Sequence, residues 1–190
     1  MRNLIFLDES GANLRMGPLY GRAQGGKRVI AAVPFNRGNR FTMLGAINFT
    51  KVGAALYCEW AADGEIFLNF ITRCLCPILE KRHFVIMDNV AFHRVCGVKE
   101  VIESTGAKLI YLLPYSPDLN LIEQMWGKIK SCLRQESART LKQFAKAINT
   151  AFMNIYHLLM IFRVLAQIDP SNSVFGKAAR SKRQERIQHT

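Results

Sequence analysis

Two short runs of apolar residues, each closed by polar or turn-forming residues, dominate the middle of the chain. The first covers residues 84–87 and ends on Asp88, and the second covers residues 108–113 and ends before Pro114. An apolar run of about four to eight residues with polar flanks is typical of a strand buried in a sheet. Because ligands of α/β sheets bind beyond the carboxyl ends of buried strands, Asp88 lies where a functional group is expected.

The rest of the pattern predicts the elements around these two strands. Further strands are predicted over residues 3–7, 29–33, 41–48 and 52–60, with a basic, glycine-rich loop or hairpin over residues 10–28 and a turn over residues 37–40. Helices are predicted from the N-cap Asp63 to about residue 79, with a kink or early end at Pro77, and over residues 91–104 and 140–156. Hairpin strands followed by strand–helix–strand units indicate a mixed α/β sheet flanked by helices.

A helix that follows the second strand carries a further carboxylate, Glu123. Its apolar stripe is formed by Ile122, Trp126, Ile129 and Leu133. At about 100° per residue, Glu123 falls on the edge of this stripe, together with Gly127 and Lys130. The pattern therefore allows the carboxylates of Asp88 and Glu123 to meet at the rim of the sheet.

Each acid also has a purely structural interpretation. Asp8 would simply end the first strand in a turn, and Asp88 with Asn89 would cap the following helix. Asn120 and Glu123 have the three-residue spacing of a capping box. These alternatives stay open on the residues alone.

Composition favours a folded protein with a polyanionic partner. Of 190 residues, 49% are apolar, and 26 Lys and Arg against 14 Asp and Glu give a net charge of +12. Five cysteines without a Cys-x-x-Cys pair indicate reduced thiols in a cytoplasmic protein rather than a structural zinc site. No signal peptide is expected, and the apolar residues 151–168 contain too many polar side chains for a good membrane span.

Three strings resemble the catalytic motifs of the mariner-like DDE transposases, including the related bacterial insertion-sequence enzymes. They are LIFLDES at residues 4–10, MDNVAFH at residues 87–93 and LPYSPDLNLIE at residues 113–123. The 34 residues between Asp88 and Glu123 match the family spacing. The resemblance implies a ribonuclease H-like DDE catalytic domain over residues 1–157, followed by a divergent segment, residues 158–190, with a basic and disordered tail.

The resemblance also implies the chemistry. Asp8, Asp88 and Glu123 would be the catalytic acids and would bind two Mg²⁺ ions, for which Mn²⁺ can substitute, with Asp8 bridging both ions. His93 would lie near this centre and contact a phosphate or orient Asp88. The candidate DNA contacts are Arg22, Lys27, Arg28, His93 and Lys130.

The implied function is cleavage and strand transfer during DNA transposition, with double-stranded DNA as partner, in a homodimer with no membrane association. Family members carry a helix-turn-helix module before the first acid, whereas Asp8 lies near the start here, so either a separate reading frame supplies that module or the copy is truncated. The expected location is the bacterial cytoplasm, at the nucleoid. Alternative functions are a catalytically dead remnant that only binds DNA, a stand-alone ribonuclease H-like nuclease and, more distantly, an aspartyl-phosphate hydrolase in which Asp8 is the nucleophile.

Overall fold

A six-stranded mixed sheet forms the centre of the computed structural model, which describes residues 3–30, 32, 34–36, 38–48, 52–113, 116–159 and 163–164. The strands follow the spatial order β5-β4-β1-β2-β3-β6. Their bounds are β1 Leu4–Asn13, β2 Arg40–Ile47, β3 Val52–Glu59, β4 Phe84–Met87, β5 Lys108–Tyr111 and β6 Arg163–Val164.

Strand β1 is the pivot of the sheet. On one side it pairs antiparallel with β2, which in turn pairs antiparallel with β3. On its other side it pairs parallel with β4, and β4 pairs parallel with β5. The short β6 adds to the far edge, parallel to β3. The predicted mixed α/β sheet is confirmed.

Helices cover both faces of this sheet. They are α1 Gly64–Phe70, α2 Val98–Ser104, α3 Ile122–Glu136 and α4 Leu141–Leu159. Helices α3 and α4 pack on one face, whose core includes Phe6, Ile86, Trp126, Phe144 and Phe152. Helices α1 and α2 pack on the other face, whose core includes Leu7, Val85, Phe67, Phe70 and Ile102.

Alternation along β1 divides its side chains between these two cores. Phe6 belongs to the core beneath α3 and α4, whereas Ile5 and Leu7 belong to the core beneath α1 and α2. Successive side chains of a strand point to opposite faces. Asp8 is therefore directed toward α3 and α4, and Glu9 toward α1 and α2.

Some predicted elements have different bounds. Strand β1 runs on to Asn13, so Asp8 lies in the middle of a strand and does not end it in a turn. The strand predicted over residues 29–33 is wrong for the described residues 29, 30 and 32, which have no regular structure and are exposed. Strand propensity at these positions finds no partner strand and no core to pack against.

Two predicted helices are broken. Asp63 caps α1 as expected, accepting a hydrogen bond of 2.9 Å from the N–H of Ile66, but α1 is followed by a π-helical turn and a 3₁₀ turn containing Pro77. The helix predicted over residues 91–104 becomes a 3₁₀ turn, Ala91–Arg94, and α2. Gly97 separates the two pieces with a left-handed φ of 93°, which favours glycine.

Among the helices of the described residues, none combines the length and the apolar character needed to cross a bilayer. Most of the predicted divergent segment, including its basic tail from residue 176, lies outside the described residues.

Candidate metal-binding active site

Asp8 on β1 and Asp88, which directly follows β4, lie level with each other. Phe6 of β1 pairs with Ile86 of β4 in parallel register, and each acid follows its paired residue by two positions. A carboxylate oxygen of Asp8, one of Asp88 and a ring nitrogen of His93 all lie within 4.8 Å of one another. The hydrogen-bond register of the sheet thus brings the first two predicted acids together.

Helix α3 places the third predicted acid near the same point. Asp8 pairs across the sheet with Gly45, and the ring of Trp126 lies so close over Gly45 that a Cβ atom there would stand 2.9 Å from its Cη2 atom. Glu123 precedes Trp126 by three residues, which is about one helical turn. Trp126 is buried, whereas Glu123 is exposed on the flank of α3, and its charge acts on Asp8.

Asp8 has a strongly perturbed acidity. Its side chain is buried, and its pKa is raised to about 7. Burial is the largest cause, followed by the negative charge of Glu9, while the charges of Glu123 and Asp88 add to the effect. The backbone N–H of Glu9 acts in the opposite direction by hydrogen bonding to the carboxyl group. A cation at this point would favour the ionised form of Asp8.

His93 lies between two carboxylates. Its side chain is fully buried, its Nε2 atom is 2.5 Å from Oε2 of Glu9, and its Nδ1 atom contacts Oδ1 of Asp88. Nδ1 also lies 3.3 Å from the backbone oxygen of Asp88. Burial lowers the pKa of His93, but the hydrogen bond to Glu9 and the charges of Glu9 and Asp88 outweigh burial, so the pKa is raised. In the imidazolium form both ring nitrogens donate, Nε2 to Oε2 of Glu9 and Nδ1 to the backbone oxygen of Asp88.

Glu9 is the site residue that the sequence reasoning missed. It is half-buried, adjoins Asp8 and points to the opposite face of β1. The sequence offered one signal: Glu9 directly follows Asp8 at the end of a predicted strand. Strand alternation therefore places it on the same face as Ile5 and Leu7. Nothing in the linear sequence showed that His93, 84 residues away, would meet it there.

The helix-capping interpretations of the acids are wrong. No side chain among the described residues caps the start of α3, and the Oδ1 atom of Asn120 is buried without a hydrogen-bond partner in that part of the chain. The 3₁₀ turn after Asp88 likewise begins without a side-chain cap from a described residue. The local roles that competed with metal binding are therefore not used.

The basic residues predicted to contact DNA differ in their exposure to solvent. Arg22, Lys27 and Arg28 are exposed on the irregular segment between β1 and β2. Lys130 is half-buried on α3, two turns after Glu123. His93 is instead buried among carboxylates, which leaves its ring no open path to a phosphate.

A comparison with known protein families identifies the family of this chain. A sequence model described as DDE superfamily endonuclease matches residues 3–145, a range that contains Asp8, Asp88 and Glu123. The chain belongs to the DDE superfamily endonucleases. No curated protein matches this DDE chain in sequence.

Solved structures share the ribonuclease H-like fold of this DDE domain. The Mos1 transposase paired-end complex with left transposon end matches with a TM-score of 0.63 and 13% identity, over 80% of this chain and 48% of that chain. The Mos1 strand transfer complex matches at 0.62 and 14%, over 80% and 47%. The Mos1 mariner paired-end complex with Mn matches at 0.62 and 14%, over 80% and 48%. The chain thus spans about half the length of these transposase chains.

The donor set of the DDE chain fits a hard divalent cation. Asp8 and Asp88 offer carboxylate oxygens within 4.8 Å of each other, whereas Glu123 lies outside this group and acts on Asp8 through its charge. Mg²⁺ and Mn²⁺ take oxygen ligands of this kind. Burial raises the pKa of Asp8 most, the negative charges of Glu9, Glu123 and Asp88 add to it, and a divalent ion at this point would favour the ionised form.

Proposed function

We propose that this chain is the catalytic domain of a transposase, which cleaves DNA strands with the help of divalent metal ions and joins the freed 3′ end to target DNA. The observation that carries the proposal is the meeting of Asp8 and Asp88 within 4.8 Å, with the charge of Glu123 acting on Asp8. Membership in the DDE endonucleases supports it, as do solved relatives whose names describe transposase–DNA complexes.

The chain contributes positioning and negative charge rather than a covalent nucleophile. Phosphoryl transfer depends mainly on alignment and on neutralising the charge of the reacting phosphate. In the proposal Asp8, on which the charges of Asp88 and Glu123 both act, would hold the metal ions together with those two acids. Mg²⁺, or Mn²⁺ in its place, would activate the attacking hydroxyl and stabilise the leaving oxygen.

DNA would be held by the basic surplus of the chain. The net charge is +12, and Arg22, Lys27 and Arg28 are exposed. Lys130 lies on the same flank of α3 as Glu123, so it is suited to a phosphate close to the acids. Contacts of this kind give affinity without sequence preference and weaken as salt is added.

The remaining partners belong to the same proposal. A domain that processes two element ends is expected to act as a homodimer on double-stranded DNA, in the bacterial cytoplasm at the nucleoid. Sequence-specific binding of the ends would come from a separately encoded helix-turn-helix module. The paired-end names of the Mos1 structures support the pairing of ends.

Relaxation of a supercoiled plasmid tests the proposed chemistry. Four proteins are compared with Mn²⁺ or Mg²⁺: the unaltered chain, Asp88→Asn, Glu123→Gln and Glu100→Gln. Weak nicking is expected from the unaltered chain and from Glu100→Gln, whose residue is exposed on α2. Asp88→Asn and Glu123→Gln should not nick, because each lacks a metal ligand, yet both should bind DNA at least as tightly.

Two results would contradict the proposal. If the unaltered chain binds DNA but shows no metal-dependent nicking, it is the dead remnant. If Asp88→Asn nicks as well as the unaltered chain, the acids at the end of β4 do not perform the cleavage.

A further inference from the structure

His93 links Glu9 of β1 with Asp88, the residue that follows β4. Asp8 faces α3 and α4, whereas Glu9, the next residue of β1, faces α1 and α2. The Nε2 atom of His93 lies 2.5 Å from Oε2 of Glu9, and its Nδ1 atom contacts Oδ1 of Asp88. A continuous contact therefore runs from Glu9 through His93 to the carboxylate of Asp88.

The ring of His93 has little freedom to turn. Its side chain is 0% exposed, and it stacks on Phe67 with ring centroids 4.9 Å apart and an interplanar angle of 27°. Its backbone N–H donates to the oxygen of Val90 at 3.0 Å, which holds the 3₁₀ turn in place. With both ring nitrogens facing carboxylates, the imidazole is oriented along one line between them.

We infer that Glu9 is a positioning residue, which acts through His93 to orient the carboxylate of Asp88 for metal binding. The inference rests on the proposed function, because it assigns Asp88 the role of a ligand. Contact with His93 occupies Oδ1 of Asp88 and leaves Oδ2 for a cation. Partners that hold a ligating group in orientation typically contribute about 10–100-fold in metal affinity.

Direct ligation of the metal by His93 is the competing assignment. His93 shares the 4.8 Å cluster with Asp8 and Asp88, so distance alone allows it. A metal at either ring nitrogen would have to displace a carboxylate partner, Glu9 or Asp88. Hard divalent ions with oxygen ligands nearby gain little from that exchange.

Mn²⁺ binding to the full chain tests the inference, with free Mn²⁺ followed by electron paramagnetic resonance. Glu9→Ala should weaken Mn²⁺ binding about 10–100-fold. Glu9→Gln removes the same charge but keeps an amide oxygen that can accept from Nε2, so it should stay within about threefold of the unaltered chain. Equal loss in both variants would mean that Glu9 acts by its charge alone and would overturn the inference.

A double-substitution cycle shows whether Glu9 acts through His93. In a His93→Ala background, Glu9→Ala should cause no further loss of Mn²⁺ affinity, because the link to Asp88 is already gone. Full additivity of the two losses would overturn the inference. Electron spin-echo modulation of bound Mn²⁺ should show no directly coordinated nitrogen, and a coordinated imidazole would assign His93 as a ligand instead.

Asp88→Asn separates this inference from the proposed function. If Asp88→Asn abolishes Mn²⁺ binding while Glu9→Ala leaves it unchanged, the inference fails and the proposed metal site stands. If Asp88→Asn itself binds Mn²⁺ normally, the proposed metal site fails and the inference fails with it. Thermal unfolding of each variant, with Glu9→Gln as the form that retains the contact, identifies losses that come from unfolding.

Discussion

The acids of this DDE domain are held in two different ways. Asp8 lies on β1 and Asp88 directly follows the adjacent strand β4, where the pairing of Phe6 with Ile86 sets their separation, and His93 contacts Asp88. Glu123 is exposed on α3 and is positioned through the packing of Trp126 on Gly45. The positions of Asp8 and Asp88 thus depend on backbone hydrogen bonds of the sheet, and the position of Glu123 depends on how α3 packs on the sheet.

This difference predicts which half of the site is easier to disturb. A strand register cannot shift by a fraction of a residue, because a slip of one residue turns every side chain to the other face. A helix packed on a sheet can shift by tenths of an ångström when a side chain in the interface changes size. The Asp8–Asp88 pair should therefore survive changes that displace Glu123.

The largest expected effect is a loss of Mn²⁺ affinity when an acid held by the sheet, rather than the acid on α3, is replaced. Asp8→Asn should lower Mn²⁺ affinity by more than about 100-fold, because Asp8 is the acid on which the charges of Asp88 and Glu123 converge. Glu123→Gln should lower it only about tenfold, because Asp8 and Asp88 still form a two-carboxylate site. Isothermal titration calorimetry with Mn²⁺ measures both losses.

Glu100→Gln is the control for this pair, since Glu100 is exposed on α2. It should bind Mn²⁺ as the unaltered chain does. A greater loss in Glu123→Gln than in Asp8→Asn would reverse the comparison and make the helix-borne acid the principal ligand.

The next largest effect comes from a substitution that should shift α3 relative to the sheet without changing any acid. In Gly45→Ala the added methyl group would stand 2.9 Å from the ring of Trp126 and 3.2 Å from Cε of Met125. Because the ring is buried and rigid, α3 should move, and the free energy of unfolding should fall by about 1–3 kcal/mol. Plasmid nicking should fall about tenfold or more, since a misplacement of about 1 Å can cost that much. Mn²⁺ affinity should fall less than nicking does.

Gly11→Ala is the matched control. Gly11 also lies in the sheet, three positions beyond Asp8, but a Cβ atom there meets nothing within 4 Å. Neither nicking nor stability should fall. If Gly45→Ala loses Mn²⁺ affinity and nicking by the same factor, the two halves of the site are not independent.

An effect of intermediate size on Mn²⁺ affinity comes from the acidity of Asp8, one of the two acids held by the sheet. Because the pKa of Asp8 is about 7, the carboxyl is protonated below that pH, and a proton must leave before a metal binds. Mn²⁺ affinity should fall about tenfold for each pH unit below about 7 and level off above it. Calorimetric titrations at several pH values measure this slope.

The same pKa predicts the stability of the metal-free chain. The folded pKa of Asp8 lies above the usual value of 3.8, so between about pH 3.8 and pH 7 the folded state holds a proton that the unfolded state has released. This contribution is fully present below about pH 3.8 and is lost as the pH rises through about 7. Asp8→Asn should show a smaller fall in melting temperature over this range. An equal fall in both proteins would contradict the assigned acidity.

Sequence reasoning found the elements that carry strong hydrophobic patterns. The strands beside Asp88, the helix that buries Trp126 and the cap at Asp63 were predictable because each is encoded within a few residues. The strand predicted over residues 29–33 failed because strand propensity needs a partner, and the segment between β1 and β2 provides none for its described residues.

The candidate site was predictable to a different extent. Spacing and the family motifs pointed to Asp8, Asp88 and Glu123, but Glu9 was missed because its contact with His93 spans 84 residues. A linear pattern does not show which buried side chains meet across two strands. The close approach of Trp126 to Gly45 was hidden for the same reason.

The smallest expected effect concerns the basic residues near and far from the acids. Lys130 shares α3 with Glu123, whereas Arg28 is exposed on the segment between β1 and β2. Each residue that neutralises one phosphate contributes about 0.9 to the slope of log affinity against log salt. Lys130→Gln and Arg28→Gln should each reduce the slope by about this amount, which corresponds to about three- to fourfold between 50 and 200 mM salt.

The two substitutions should differ in their effect on nicking. If Lys130 binds the phosphate beside the acids, Lys130→Gln should lower nicking even when DNA is saturating, because the phosphate is less well aligned. Arg28→Gln should nick as fast as the unaltered chain when DNA is saturating, because Arg28 contributes only to DNA affinity. Mobility-shift titrations across salt and nicking at saturating plasmid measure both. Unchanged salt slopes in both variants would remove these residues from the DNA contact surface, and a nicking loss confined to Arg28→Gln would place the reacting phosphate away from α3.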